Sequence, residues 1–65
     1  MQVINIADDT ELHTMLTTSG YILMTNTIYV FNSGTYTLSP PYPTQMTMNN
    51  CTAIIGNGNV VIKAV

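Results

Sequence analysis

Apolar and polar positions follow two periods in turn along this chain. Leu12, Met15 and Leu16 recur at i, i+3 and i+4, which predicts one apolar stripe on a helix of about three turns. Asp8 and Glu11 stand at capping-box spacing, with Asp9 beside them where the helix dipole favours negative charge. Gly20 supplies a left-handed C-terminal stop. Ahead of this helix, Ile4 and Ile6 mark one face of a short opening strand. From Tyr21 the period falls to two. Ile22 and Met24 alternate with other side chains, Thr25-Asn26 interrupts, Ile28 and Val30 alternate again, and Asn32-Ser33-Gly34 turns the chain before Tyr36 and Leu38.

The chain then says this stretch a second time. Residues 21–38 overlay residues 45–62 without gaps at an offset of 24, placing Ile22 on Met46, Val30 on Ile54, Gly34 on Gly58, and Leu38 on Ile62. Asn26 falls on Asn50 at an expected corner. Apolar meets apolar and turn meets turn, the signature of stacked structural units. The organisation predicted is a single domain spanning residues 1–65. Residues 3–20 form a strand and capping helix, 21–38 a first coil, 39–44 (SPPYPT) a proline-rich connector, and 45–62 a second coil. Ile22, Ile28, Val30 and Leu38 are expected to point inward. The fold class expected is mainly β: a short right-handed parallel β-helix of about two coils, three short strands per coil, capped by one N-terminal amphipathic helix.

Gly34-Thr35-Tyr36 and the segment AIIGNGNVVI (53–62), behind a capping helix, resemble the N-terminal start of a pectin-lyase-like right-handed parallel β-helix. The resemblance covers nearly the whole chain. In that family an amphipathic helix covers the first coil, and the members include polysaccharide lyases and glycoside hydrolases. Motifs of this kind speak to fold rather than function.

Composition changes the picture in one respect. Apolar residues make up 46% of the chain and charged residues only 6%, against about 25% charged in ordinary domains. A surface so poor in charge is weakly protected against self-association. Lys63 is the single lysine or arginine and the net charge is −2, which excludes the electrostatic footprint of a nucleic-acid binder. No apolar run approaches a membrane span, and no signal peptide is expected at the N-terminus. The single cysteine, Cys51, cannot form an internal disulfide.

The chemistry-bearing residues are few. Glycoside hydrolysis needs two carboxylates flanking one bond, yet Asp8, Asp9 and Glu11 all sit at the expected helix start and the repeats contain no acid. N-capping uses all three, and a Ca²⁺ site wants more oxygens than they supply. His13 lacks a zinc-spaced partner and is expected on the exposed helix face. Cys51 reads as a corner or core thiol. The GNGN run (56–59) is a coil corner rather than a phosphate cradle, since no helix or lysine follows it closely. Asn50 fits a glycosylation sequon. The T-x-T runs at 25–27 and 35–37 resemble ice-binding faces, but their counterparts in the second repeat are not threonine. With Ile22, Ile28 and Val30 inward, Tyr21, Tyr29 and Phe31 would point outward and, with Tyr42, form an aromatic interaction face. The alternative is that parity slips at the corner and Phe31 packs inward over Ile55.

Function is therefore expected to be structural. Two coils with one cap leave an open edge, at Val60, Ile62 and Lys63, guarded by a single charge. The chain is read as a non-catalytic assembly module without a cofactor: the capped start of a β-solenoid in a surface adhesin, filament or virion-type assembly. It would self-associate or continue into a longer β-helix, in an extracellular or particle-surface setting. A module binding a glycan or protein partner through a Thr/Asn/Tyr face is the second reading. The truncated remnant of a carbohydrate-active enzyme is the third.

Overall fold

The structure, a computed structural model, describes residues 1–38 and 46–64. Four elements follow in order: strand β1 (Gln2–Ile6), helix α1 (Asp9–Ser19), strand β2 (Thr27–Leu38) and strand β3 (Thr52–Ala64). The three strands form one parallel sheet in the order β1-β2-β3. The connector at 39–44, with Tyr42, lies outside the described residues.

The helix forms where the acids and the apolar stripe place it. Asp8 is its N-cap, extended in backbone conformation, and its carboxylate accepts from the Glu11 N–H at 2.9 Å. Glu11 reaches back to accept from the Ala7 N–H at 3.4 Å. At the other end Gly20 adopts φ 68°, where its N–H and that of Tyr21 both reach the Leu16 carbonyl. Leu12 and Leu16 are fully buried against the sheet, and Met15 packs beside them. Burial of each leucine is worth about 1.5–3 kcal/mol. His13, expected on the exposed face, is instead only 7% exposed. It lies along the helix from Asp9, with Nε2 3.3 Å from the Asp9 carboxylate.

The expected coil does not form. Among the described residues there is one open sheet, not three sheets wound into a solenoid, and the sole pairing outside it is the bridge between Ile22 and Thr47. The reason lies at Asn32-Ser33-Gly34. That segment does not turn the chain into a new sheet; β2 runs straight through it as a twelve-residue strand. Its conformational demand is absorbed as a β-bulge between Asn32 and Gly34, where the pairing with β3 steps by one residue. Gly58 faces this bulge from β3 at φ 94°, with Ser33 so close that a Cβ would lie 3.2 Å from its side chain. Only glycine suits both the angle and the space.

Register is the second correction. Val30 pairs with Ile55 rather than Ile54, Leu38 with Ala64 rather than Ile62, and Ile22 with Thr47 rather than Met46. The repeat therefore runs at 25 residues before the bulge and 26 after it, not 24. The corner residues obey the same spacing: Asn26 at φ 55° recurs as Cys51 at φ 58°, each immediately before a strand begins. Asn26 still donates its N–H to the Asn50 carbonyl at 3.2 Å.

The faces of the first part of β2 are correspondingly reversed, while Leu38 is buried as expected. Tyr29, Phe31, Tyr36 and Leu38 are buried with Ile6, Leu12, Leu16 and Leu23, while Ile28 and Val30 are half-exposed and Ile22 is exposed. Aromatic side chains hide about 150–250 Å² each, so the arrangement that sinks Tyr29, Phe31 and Tyr36 under the helix outweighs one that sinks Ile28 and Val30. Phe31 and Tyr36 meet edge to face with ring centroids 4.9 Å apart. Both buried tyrosine hydroxyls are satisfied. Tyr29 accepts from the Met24 N–H at 2.8 Å, and Tyr36 donates to the Asn32 carbonyl at 2.7 Å with the Ile6 carbonyl 3.3 Å away. Burial, and then the carboxylates of Asp8, Glu11 and Asp9, hold the Tyr36 hydroxyl above the usual tyrosine range.

Candidate functional site

A feature that stands apart from this core is the far strand. β3 is thirteen residues long, and only Thr52 and Val60 in it are even half-buried. It pairs with β2 along one edge, and among the described residues no strand meets its other edge. The helix packs on β1 and β2 and does not reach β3. Four large apolar side chains therefore stand on its surface: Ile54 and Ile62 at 37% and 39% exposure, Ile55 and Val61 at 48% and 47%. Ile54 pairs with Tyr29 and Ile62 with Tyr36, so both lie on the helix side of the sheet; Ile55 and Val61 lie on the opposite side. Lys63 is exposed and pairs with Thr37.

Besides its ladder with β2, β3 is anchored at its start. The Leu23 N–H donates to the Thr47 carbonyl at 2.8 Å, and the Thr47 N–H to the Tyr21 carbonyl at 3.0 Å. Asn49 Nδ2 donates to the Leu23 carbonyl at 3.1 Å and Thr52 Oγ1 to the Met24 carbonyl at 2.8 Å. The two segments that precede β2 and β3 are thus tied side by side, fixing the register of the strands that follow. Among the described residues no side chain hydrogen-bonds to the β3 backbone beyond this point.

The β1 side is finished differently. β1 covers only residues 27–31 of β2. Further along, the Asp9 carboxylate at the helix start accepts from the Thr37 N–H at 2.8 Å. The acid that sequence assigned to the helix dipole therefore also closes part of the sheet edge.

The expected aromatic face is not assembled. Tyr29 is 1% exposed and Phe31 is fully buried, both under the helix; Phe31 pairs with Gly56, not Ile55. Tyr21 is half-buried against the core, and Tyr42 lies outside the described residues. Val60, Ile62 and Lys63 do lie on the open strand, but Ile54, Ile55 and Val61 are equal members of it that the sequence reading left out. Their signal was present: two apolar pairs flanking a glycine-asparagine run, an apolar density that no inward-outward alternation can bury on one face.

The remaining chemistry is sparse. Among the described residues no group of three or more His, Cys, Asp or Glu is placed to hold a metal ion. A concavity of about 220 Å³ is lined by Asp9, Thr10, His13, Thr14 and Thr17, and one of about 430 Å³ by residues including Met15, Met24 and Tyr29. Thr25 and Thr27 spend their hydroxyls on the carbonyls of Asn50 and Thr25, while Thr35 and Thr37 pair with Val61 and Lys63, so no threonine row is built. The GNGN run lies within β3 rather than in a cradle. Cys51 is a free, exposed thiol. Among the described residues no helix is long and apolar enough to cross a membrane. No family model matches the chain, and neither a curated protein nor a solved structure does. One helix and a three-stranded sheet are too little to identify the pectin-lyase-like family.

Proposed function

We propose that the protein is a non-catalytic assembly module whose working surface is the free edge of β3. The observation that carries this is a thirteen-residue strand whose outer edge is met by no strand among the described residues, with exposed apolar side chains on both faces. Such a strand is a template for adding another strand, since it presents backbone donors and acceptors along its edge on either side of the irregularity at Gly58. Lys63 is the only charge on it, and one lysine near the end does little to block an approaching chain. The acid inventory supports a non-catalytic role: Asp8 and Glu11 cap the helix and Asp9 holds Thr37.

Light scattering after size exclusion over a concentration series, with negative-stain imaging of the same fractions, tests this. A mass rising above the 7.1 kDa of one chain as concentration increases is the expected result. A folded species that stays at 7.1 kDa at high concentration overturns it.

A further inference from the structure

The order of residues along β3 says which partner its edge fits. Residues 54–62 read IIGNGNVVI, which is close to the same pattern in either direction about Gly58. Ile54 mirrors Ile62, Ile55 mirrors Val61, Gly56 mirrors Val60, and Asn57 mirrors Asn59. When two identical strands pair antiparallel across a two-fold axis, each residue faces the mirror image of itself about the centre. A strand of this kind is therefore complementary to its own copy, apolar against apolar and amide against amide.

We infer that β3 pairs with β3 of a second copy, antiparallel and centred on Gly58, to form a closed dimer with a continuous six-stranded sheet. This rests on the assembly reading given above and adds the partner, direction and register. Two further observations agree with it. The four exposed large apolar residues form two mirror pairs, one on each face of the sheet, so a single register covers all of them. Lys63 falls opposite Ala53 of the other copy, which keeps the two lysines apart; like charges directly opposed would be unfavourable. The other edge of the sheet offers only the five residues of β1, with the helix start beyond them, which favours closure at two chains over growth into a fibre.

Charge exchange across the register tests this. Ile55→Lys and Val61→Glu are each expected to weaken self-association about tenfold or more, because each buries an unpaired charge against an apolar partner. Mixing the two variants is expected to restore a dimer, since Lys at 55 of one chain then faces Glu at 61 of the other. Mixing Ile55→Lys with Ile55→Glu is expected to restore nothing, since in this register residue 55 of one copy faces residue 61, not residue 55, of the other. Ile54→Lys mixed with Ile62→Glu reads the same register from the opposite face, and circular dichroism of each variant alone confirms folding. Wild-type chains that associate while neither mixture restores a dimer overturn the register and leave the assembly reading standing. Wild-type growth into fibres overturns closure at two. A wild-type chain that never associates overturns both.

Discussion

Along the β1 side of the sheet the chain closes its own edge. The strand is five residues long, the helix begins three residues after it ends, and Asp9 reaches across to take the Thr37 N–H that β1 is too short to meet. Along the β3 side, among the described residues, thirteen residues of backbone have one edge unpaired and four large apolar side chains are in view. Both edges belong to the same sheet and face the same solvent. The difference teaches that the buried core belongs to the half of the molecule around β1, α1 and β2. β3 contributes ladder hydrogen bonds and a surface, with Val60 its one residue packed on that core.

Substitutions should separate the two halves. The largest effect is expected from Phe31→Ala, which empties a fully buried site beside Tyr36 and should cost about 3–5 kcal/mol. In a domain of this size that is enough to unfold most of the population, as urea titration followed by circular dichroism would show. Asp9→Ala removes the acceptor of the Thr37 N–H and should cost about 1–2 kcal/mol, with amide exchange at Thr37 accelerated more than at residues near β3's start. Cys51→Asn should act in the opposite sense. Cys51 holds φ 58°, a conformation that disfavours most side chains by about 1–2 kcal/mol and that asparagine tolerates, so a gain of about 1 kcal/mol is expected in thermal unfolding. Ile55→Lys, on the open strand, should change the stability of the isolated chain by less than about 0.5 kcal/mol while weakening association about tenfold or more.

The smallest effect at neutral pH concerns Tyr36. Its hydroxyl is held above the usual tyrosine range by burial and by nearby carboxylates, so the folded state retains a proton that the unfolded chain loses near pH 10. The resulting stability is fully present below about pH 10 and is lost as pH rises through the raised folded value. Denaturant midpoints measured across the alkaline range should fall in the wild type and fall less steeply in Tyr36→Phe.

Local signals in the sequence were legible and long-range register was not. Asp8, Glu11 and Gly20 placed the helix because capping is a contact between near neighbours. The repeat placed the parallel strands side by side because apolar positions recur. Offsets of 24 and 25 both bring apolar residues together in a stretch as rich in them as 53–62, and the choice between them is made elsewhere, by the pairing of Thr47 with Ile22 and by the bulge at Gly58. A slip of one residue exchanges the faces of a strand, so the same uncertainty sent Tyr29 to the surface and left Phe31 open between surface and core in the expectation, while the structure buries both. The solenoid failed for a related reason. A glycine-containing polar triplet is a turn or a bulge depending on whether pairing with the neighbouring strand continues past it, and here the ladder of β2 with β3 resumes beyond it one residue out of step. For the candidate site, the uncovered last coil led to Val60, Ile62 and Lys63, while Ile54, Ile55 and Val61, exposed on the same strand, were left out.

Amide hydrogen exchange, compared between dilute and concentrated samples of the wild-type chain, tests the difference between the two edges most directly. Residues 52–64 should gain protection as concentration rises while residues 2–6 exchange at unchanged rates. Protection that is the same at both concentrations, or that rises on the β1 side instead, would contradict the assignment of β3 as the assembling edge.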